Sequence, residues 1–379
     1  MTANAEPVII VGAGAAGLAV ADALGRRGIA AVVLEKAPHV AEPWRRRHQR
    51  LSLNTHRDLS YLPGMRFPAG TPAFPARQTV IDYLERFAAE RGIRIEFGVE
   101  VERLDRSDGH WQLQTSAGPR QAGEVIIATG RDRLPWTPDW PGLADFGGRL
   151  VHAADFGRME DYAGKKVLVA GAGNSGFDVL NHLSRGKAAH IWLSARNGPS
   201  LLPKRIANVA VQRLGLLMQR LPLRLADAAI AATQRLALGD LKRYGLPPAP
   251  KGGASRLAKE HIAIATDDGA VRAIKAGRVE VVAPVARFTA DGVILANGST
   301  VAPDVVIAAT GYRTGLEGMV GDLGVLDGKG VPKATGDEPT GQPGLWFIGM
   351  KPAIAGNFHA ASVQAKAIAD RLAASRRTG

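Results

Sequence analysis

The strongest constraint on this chain is a pattern that it carries twice. Near the start, Val8-Ile-Ile-Val-Gly12-Ala-Gly14-Ala-Ala-Gly17-Leu18 passes from a short apolar run through a glycine turn into a helix-like run, Leu18 to Leu24. The same order returns 159 positions later in Lys166-Val-Leu-Val-Ala-Gly171-Ala-Gly173-Asn174-Ser175-Gly176. Strand, G-x-G-x-x-G, helix and second strand together make the dinucleotide-binding context that a lone glycine triplet lacks. Gly12 and Gly171 permit the tight turn, Gly14 and Gly173 let a pyrophosphate approach the backbone, and Gly17 and Gly176 let helix pack on strand. The helix N-terminus supplies N–H groups and partial positive charge to the phosphates. The predicted fold class is α/β, with two Rossmann-like dinucleotide-binding domains.

The two copies differ where the second strand ends. Ala31 to Leu34 runs into Glu35 and Lys36, and an acid at this spacing grips ribose hydroxyls. His190 to Leu193 runs into Ser194-Ala195-Arg196, with no acid; a nearby arginine suits a 2′-phosphate. The second site is therefore assigned to NADPH, against the competing reading of Arg196 as a plain surface residue. Two further strands, Val125 to Thr129-Gly130 and Val305 to Thr310-Gly311, end in Thr-Gly, where glycine allows the chain to pass beside a dinucleotide. These echoes point to a flavoprotein. A last strand, Leu345 to Gly349, precedes a helix from about Ala360 to Ala373, whose N-terminus is expected to face the flavin ring. The FAD domain is expected to be discontinuous, 1–163 and 285–379. The NADPH domain, 164–284, is inserted within it and carries a helical insertion near 201–260.

Composition removes several function classes. The chain has no cysteine, which excludes disulfides, thiolate metal sites and a chain-encoded redox pair, and fits a cytoplasmic location. No metal site is expected. Lys and Arg exceed Asp and Glu by 48 to 35, a net charge of +13. The basic residues are scattered, without zinc-finger spacing or a basic-region helix, so no nucleic-acid partner is expected; a basic surface suits anionic cofactors and substrates. Val8 to Leu24 contains Asp22 and several glycines and follows no basic region, so it is not read as a signal segment. No other stretch reaches about 18 uncharged apolar residues, and a membrane partner is not expected. The run Ile206 to Leu238 is apolar, interrupted by Arg213, Arg220, Arg224 and Asp227, and Pro222 should break it. A substrate-access lid, a membrane-surface helix and ordinary domain packing all remain open for it. A homodimer is an allowed assembly.

Between the two glycine motifs stands Phe146-Gly-Gly148-Arg-Leu-Val-His152-Ala-Ala-Asp-Phe156. It resembles the F-x-G-x-x-x-H-x-x-x-[FY] signature of flavin-containing monooxygenases at every fixed position. With Leu201-Leu-Pro203-Lys204, Leu238-Gly-Asp240, Ile274-Lys-Ala-Gly277 and Ala309-Thr-Gly311-Tyr312, the resemblance covers nearly the whole chain and is nearest to YUCCA-type flavin monooxygenases and their bacterial relatives. It implies that NADPH reduces FAD, that O2 is captured as a C4a-hydroperoxyflavin, and that a small organic substrate is oxygenated. It also implies a catalytic role for Asn54, beside flavin and nicotinamide, and a linker-supporting role for His152. Trp44 keeps the tryptophan of a Gly-Gly-x-Trp motif near the flavin, although Ala41 and Glu42 replace its glycines. Oxidative decarboxylation of an aromatic 2-oxo acid such as indole-3-pyruvate is the first substrate expectation. N- or S-oxygenation of a soft amine or sulfide is the alternative. A flavin or ferredoxin reductase that inserts no oxygen is the second alternative.

Overall fold

The computed structural model describes residues 6–378 apart from residue 208. In the first lobe, β1 (Val8–Val11), α1 (Ala15–Gly25) and β2 (Ala31–Glu35) are followed by α2 (Arg77–Glu90) and β3 (Ile95–Phe97). A meander, β4 (Val101–Ser107), β5 (His110–Thr115) and β6 (Arg120–Ala122), leads to β7 (Val125–Ile127). The second lobe starts with β8 (Arg149–His152), β9 (Lys166–Ala170), α3 (Asn174–Leu183) and β10 (His190–Ser194). The insertion contributes α4 (Leu223–Leu238) and α5 (Gly253–Glu260). Then come β11 (Val279–Val282), a meander of β12 (Val285–Thr289), β13 (Gly292–Leu295) and β14 (Thr300–Val301), and β15 (Val305–Ala308). The chain returns to the first lobe with β16 (Leu345–Phe347) and α6 (Asn357–Thr378).

Each lobe is built on a five-stranded sheet. The orders are β16-β7-β1-β2-β3 and β8-β15-β9-β10-β11, and every pairing is parallel. The two sheets have the same layout, with the glycine-motif strand in the middle. Parallel strands buried on both faces read as continuous apolar runs, and Val8–Val11 shows why. Val8 and Ile10 pack with α1, α2 and α6, including Leu18, Leu84 and Ile368. Ile9 and Val11 pack with the meander, including Leu104, Trp111 and Leu113. The second lobe repeats this: Val167 and Val169 face Phe177 and Leu180 of α3, and Leu168 faces Phe288, Val293 and Leu295 of its meander.

The strand partners correct the expected domain limits. β8 and β15 lie outside 164–284, yet β15 pairs with β9 and β8 pairs with β15. The meander 285–301 packs on the same sheet. The second lobe therefore runs from about Arg149 to Ala308. β15 is as apolar as the core strands around it, and β8, Arg-Leu-Val-His, is a short edge strand with only Val151 and His152 buried, so neither end stands out in composition. Pro222 does interrupt the insertion: it sits at the N-cap, and α4 begins at Leu223. The C-terminal helix is longer than expected, starting at Asn357.

The glycines lost from the tryptophan motif have a backbone consequence. Ala41 is 1% exposed and has φ 62°, in the left-handed region. Its N–H donates to the Ala13 carbonyl in the first glycine turn, 3.3 Å away. A non-glycine residue here costs about 1–2 kcal/mol, partly offset by the extra unfolded-chain entropy of glycine. Ala41→Gly should raise Tm by about 1–2 °C, and a fall in Tm by calorimetry would show that Ala41 is not strained.

Candidate functional site

The two glycine turns are near-copies at atomic scale. Gly12 has φ 108° and Gly171 φ 118°, a region L side chains avoid. A Cβ at Gly17 would lie 1.9 Å from the Gly12 carbonyl oxygen, and one at Gly176 would lie 1.9 Å from that of Gly171. Around Gly14 and Gly173 a Cβ would meet no atom within 4 Å. These two glycines are the N-caps of α1 and α3, and neither helix has a side-chain cap or an acid in its first turn. Each turn thus offers helix N–H groups and open space to an anion. Asn174 and Ser175 form the first residues of α3, half-buried at that mouth.

In the first lobe, Glu35 ends β2, and its carboxylate accepts from Ala13 N–H at 2.7 Å and Ala37 N–H at 2.9 Å. It therefore lies against the glycine turn, where ribose hydroxyls would come. Thr129 follows β7, and its hydroxyl is buried with no hydrogen-bond partner. A buried hydroxyl of that kind calls for a ligand group. Gly130 beside it opens onto free space. Lys36 turns outward to Glu100, 3.3 Å away. Trp44 packs half-buried against the core of this lobe. The residues present fit a dinucleotide at this turn.

The second lobe uses similar residues differently. Thr310 donates its hydroxyl to the Trp136 carbonyl at 2.5 Å, and the Gly311 carbonyl accepts from Trp136 N–H and from His152 Nε2 at 3.0 Å. Thr310 and Gly311 therefore bind the crossing chain, whereas Thr129 stays open. Ser194 donates to the Ala283 carbonyl and accepts from Val285 N–H, both at 3.0 Å, so its hydroxyl ties β10 to the meander. Arg196 is exposed and its guanidinium is unpaired among the described residues.

A cleft beside this turn is lined by Ala172, Gly173, Asn197, Gly198, Ser200 and Arg256. Arg256, on α5, was not singled out from the sequence. Its Nε is buried without a hydrogen bond, and its nearest acid is Glu260 at 3.6 Å. It lies 60 positions after Arg196, outside every motif, so no local signal marks it. Arg196 and Arg256 frame the end of β10 with two cations suited to a phosphate.

Several of the contacts that join the lobes are polar. Arg77 holds the loop before Asn54 by donating to the Arg45 and Arg47 carbonyls at 2.7 and 2.8 Å. From that loop Arg47 donates to the Tyr312 hydroxyl and covers its ring at 4.7 Å. His48 Nε2 lies 3.3 Å from Asp178 of α3, and His182 one turn on lies 4.0 Å from it. His152 accepts from Ala154 N–H through Nδ1 and reaches Gly311 through Nε2, so both ring nitrogens hold the crossover rather than do chemistry. Asn54 is half-buried, and its side chain makes no hydrogen bond to another described residue. Its neighbour Thr55 abuts Gly356, just before α6, so Asn54 stands beside that helix's N-terminus.

Known proteins resemble this chain over most of its length. The family described as pyridine nucleotide-disulphide oxidoreductase matches residues 9–218. The chain is 34% identical over 357 residues to a probable indole-3-pyruvate monooxygenase, YUCCA3, of Arabidopsis thaliana, covering 90% of this chain and 81% of that one. It is 34% identical over 352 residues to indole-3-pyruvate monooxygenase YUCCA1 of Oryza sativa subsp. japonica, covering 90% and 86%. Among solved structures, a flavin-containing monooxygenase from Stenotrophomonas maltophilia superposes with a TM-score of 0.76 at 23% identity over 99% of this chain and 100% of that one. An oxidized steroid monooxygenase bound to NADP gives 0.73 at 19%, covering 99% and 86%. At such identities the structures show the fold alone.

Two measurements test this site. Arg256→Gln and Arg196→Ala should each weaken NADP+ binding about tenfold or more while leaving NAD+ binding nearly unchanged; equal losses for both nucleotides would remove the 2′-phosphate role. Burial, against the attraction of Asp178, pushes the His182 pKa down to about 4. The fold thus favours neutral His182, a contribution complete above pH about 6.5 and lost as pH falls toward 4. Between pH 7 and pH 5 this amounts to roughly 2 kcal/mol. The stability of His182→Asn should depend less on pH across that window, and an unchanged pH profile would contradict the assignment.

Proposed function

The chain belongs to the YUCCA-type flavin monooxygenases, enzymes that use FAD and NADPH, and from that premise we propose that it oxidatively decarboxylates an aromatic 2-oxo acid of the indole-3-pyruvate type. The absence of cysteine separates it from the disulphide chemistry in the matching family's description. When bound and reduced by NADPH, FAD supplies the activation of O2.

In this reading the chain's own residues bind, orient and exclude water. Gly12, Gly14 and Gly17 with the α1 N-terminus hold the FAD pyrophosphate, Glu35 holds its ribose, and Thr129 donates its open hydroxyl to the same cofactor. Gly173, Asn174 and Ser175 hold the NADPH pyrophosphate, and Arg196 and Arg256 hold its 2′-phosphate. Asn54 presents its free amide to the reacting centre.

The observation that carries the substrate class is Lys204. Its ammonium is buried, reaches Ser52 Oγ at 3.1 Å, and lies over the Phe74 ring at 4.7 Å. Asp268 is its nearest carboxylate, only at 3.8 Å. Burial lowers the Lys204 pKa, against the pull of Asp268 and Asp178, so an incoming carboxylate would favour its charge. An ammonium beside an aromatic ring, two residues from Asn54 through Ser52, suits an aromatic acid.

Incubation with indole-3-pyruvate, NADPH and labelled O2 should give indole-3-acetate carrying one labelled oxygen. Lys204→Gln should raise KM for the 2-oxo acid by about tenfold or more without changing NADP+ affinity. Oxygenation of a sulfide or amine with no turnover of 2-oxo acids would overturn the substrate assignment.

A further inference from the structure

Nine of the fifteen exposed large hydrophobic side chains among the described residues fall between Ile206 and Leu236. Leu217 is 63% exposed and Leu236 is 88% exposed. The concentration has a structural basis in α4. The inward face of that helix, Ala226 and Ile230, packs on Ala254 of α5. The outward face, at helical spacing, carries Leu225, Ala228, Ala232 and Leu236 with Arg224 and Arg235. A surface helix of a globular protein has one apolar face; α4 has two, and only one is covered.

The charge on this surface identifies what covers it. The guanidinium groups of Arg220, Arg224 and Arg235 are exposed and make no ion pair among the described residues. The single acid in the same stretch, Asp227, is engaged by Ser255, accepting from its N–H at 3.0 Å and from its hydroxyl at 2.5 Å. A two-fold contact with a second copy would set these arginines against themselves with no acid in the patch to compensate. Exposed leucines interleaved with unpaired arginines match a bilayer interface, where leucine enters the acyl boundary and arginine meets anionic headgroups. No helix among the described residues is long and apolar enough to cross a membrane, so the patch lies on the surface rather than through it.

We infer that the face formed by residues 214–236 docks this enzyme onto an anionic lipid bilayer. The patch is continuous with the oxygenation site. Gln212 Oε1 accepts from His56 N–H at 2.8 Å, two residues beyond Asn54, and Gly215 packs against Ile354 before α6. Docking therefore turns the mouth near Asn54 toward the membrane. The inference stands apart from the substrate proposed above, since it uses none of the residues assigned to cofactor or carboxylate.

Flotation of the FAD-loaded enzyme with vesicles of equal phosphatidylglycerol and phosphatidylcholine, and with phosphatidylcholine alone, tests it. The enzyme should float with the anionic vesicles and not with the neutral ones, and raising the salt should release it. Changing Arg220, Arg224 and Arg235 together to Gln should weaken binding by about 100-fold, roughly fivefold per arginine. The double variant Leu217→Asp/Leu236→Asp should stay in the pellet while keeping its FAD content and NADPH oxidation rate. No flotation with anionic vesicles, or equal flotation of wild type and the arginine variant, overturns the inference. A wild-type dimer by light scattering that the double aspartate variant converts to monomer, with no vesicle binding, assigns the face to a second copy instead.

Discussion

The contact on which the rest depends is the approach of a helix to its own preceding turn. At Gly17 and Gly176 a single added methyl would overlap a carbonyl oxygen of that turn. Because there is none, α1 and α3 start close above the middle strands of their sheets. Their N-terminal N–H groups then converge, uncapped, on one point at the strand ends. The same closeness lets both faces of each sheet be sealed, by helices on one side and a meander on the other. The open mouth of uncapped N–H groups, of the kind that suits an anion, is thus a by-product of how tightly the core packs, and this holds in both lobes.

Repeated geometry does not lead to repeated use. Thr129 and Thr310 both end the strand beside the glycine turn, yet only Thr129 keeps an open hydroxyl, while Thr310 is consumed by the Trp136 carbonyl. Glu35 lies against its glycine turn, whereas Ala195 stands at the matching place, with Ser194 before it tying down the meander and Arg196 after it left outside. One duplicated scaffold therefore presents two different surfaces, one with an acid and one with arginines. The differences lie in side chains, because the backbone is fixed by packing.

Alongside the apolar packing of Ile354 on the insertion, the lobes are joined by polar side chains. His48 to Asp178, Arg47 to Tyr312 and Lys204 to Ser52 connect segments 130 or more residues apart. Such contacts fix orientation at modest net stability. They also place Lys204, Asn54 and the start of α6 in one region.

The sequence by itself determined the local units. Glycine spacing, apolar runs and helix starts depend on neighbours a few residues away, so both glycine turns, the Pro222 break and the family membership were legible before any coordinates. It did not determine which lobe β8 and β15 would join, since a parallel strand carries no mark of its partner beyond being apolar. Nor did it reveal Arg256, which lines a cleft assembled from α5 and the β10 loop, or the second apolar face of α4, which becomes visible only when the inward face is seen to be covered. The tertiary structure decided these because they depend on which surfaces end up together, and contacts between distant segments leave no period or motif in the chain.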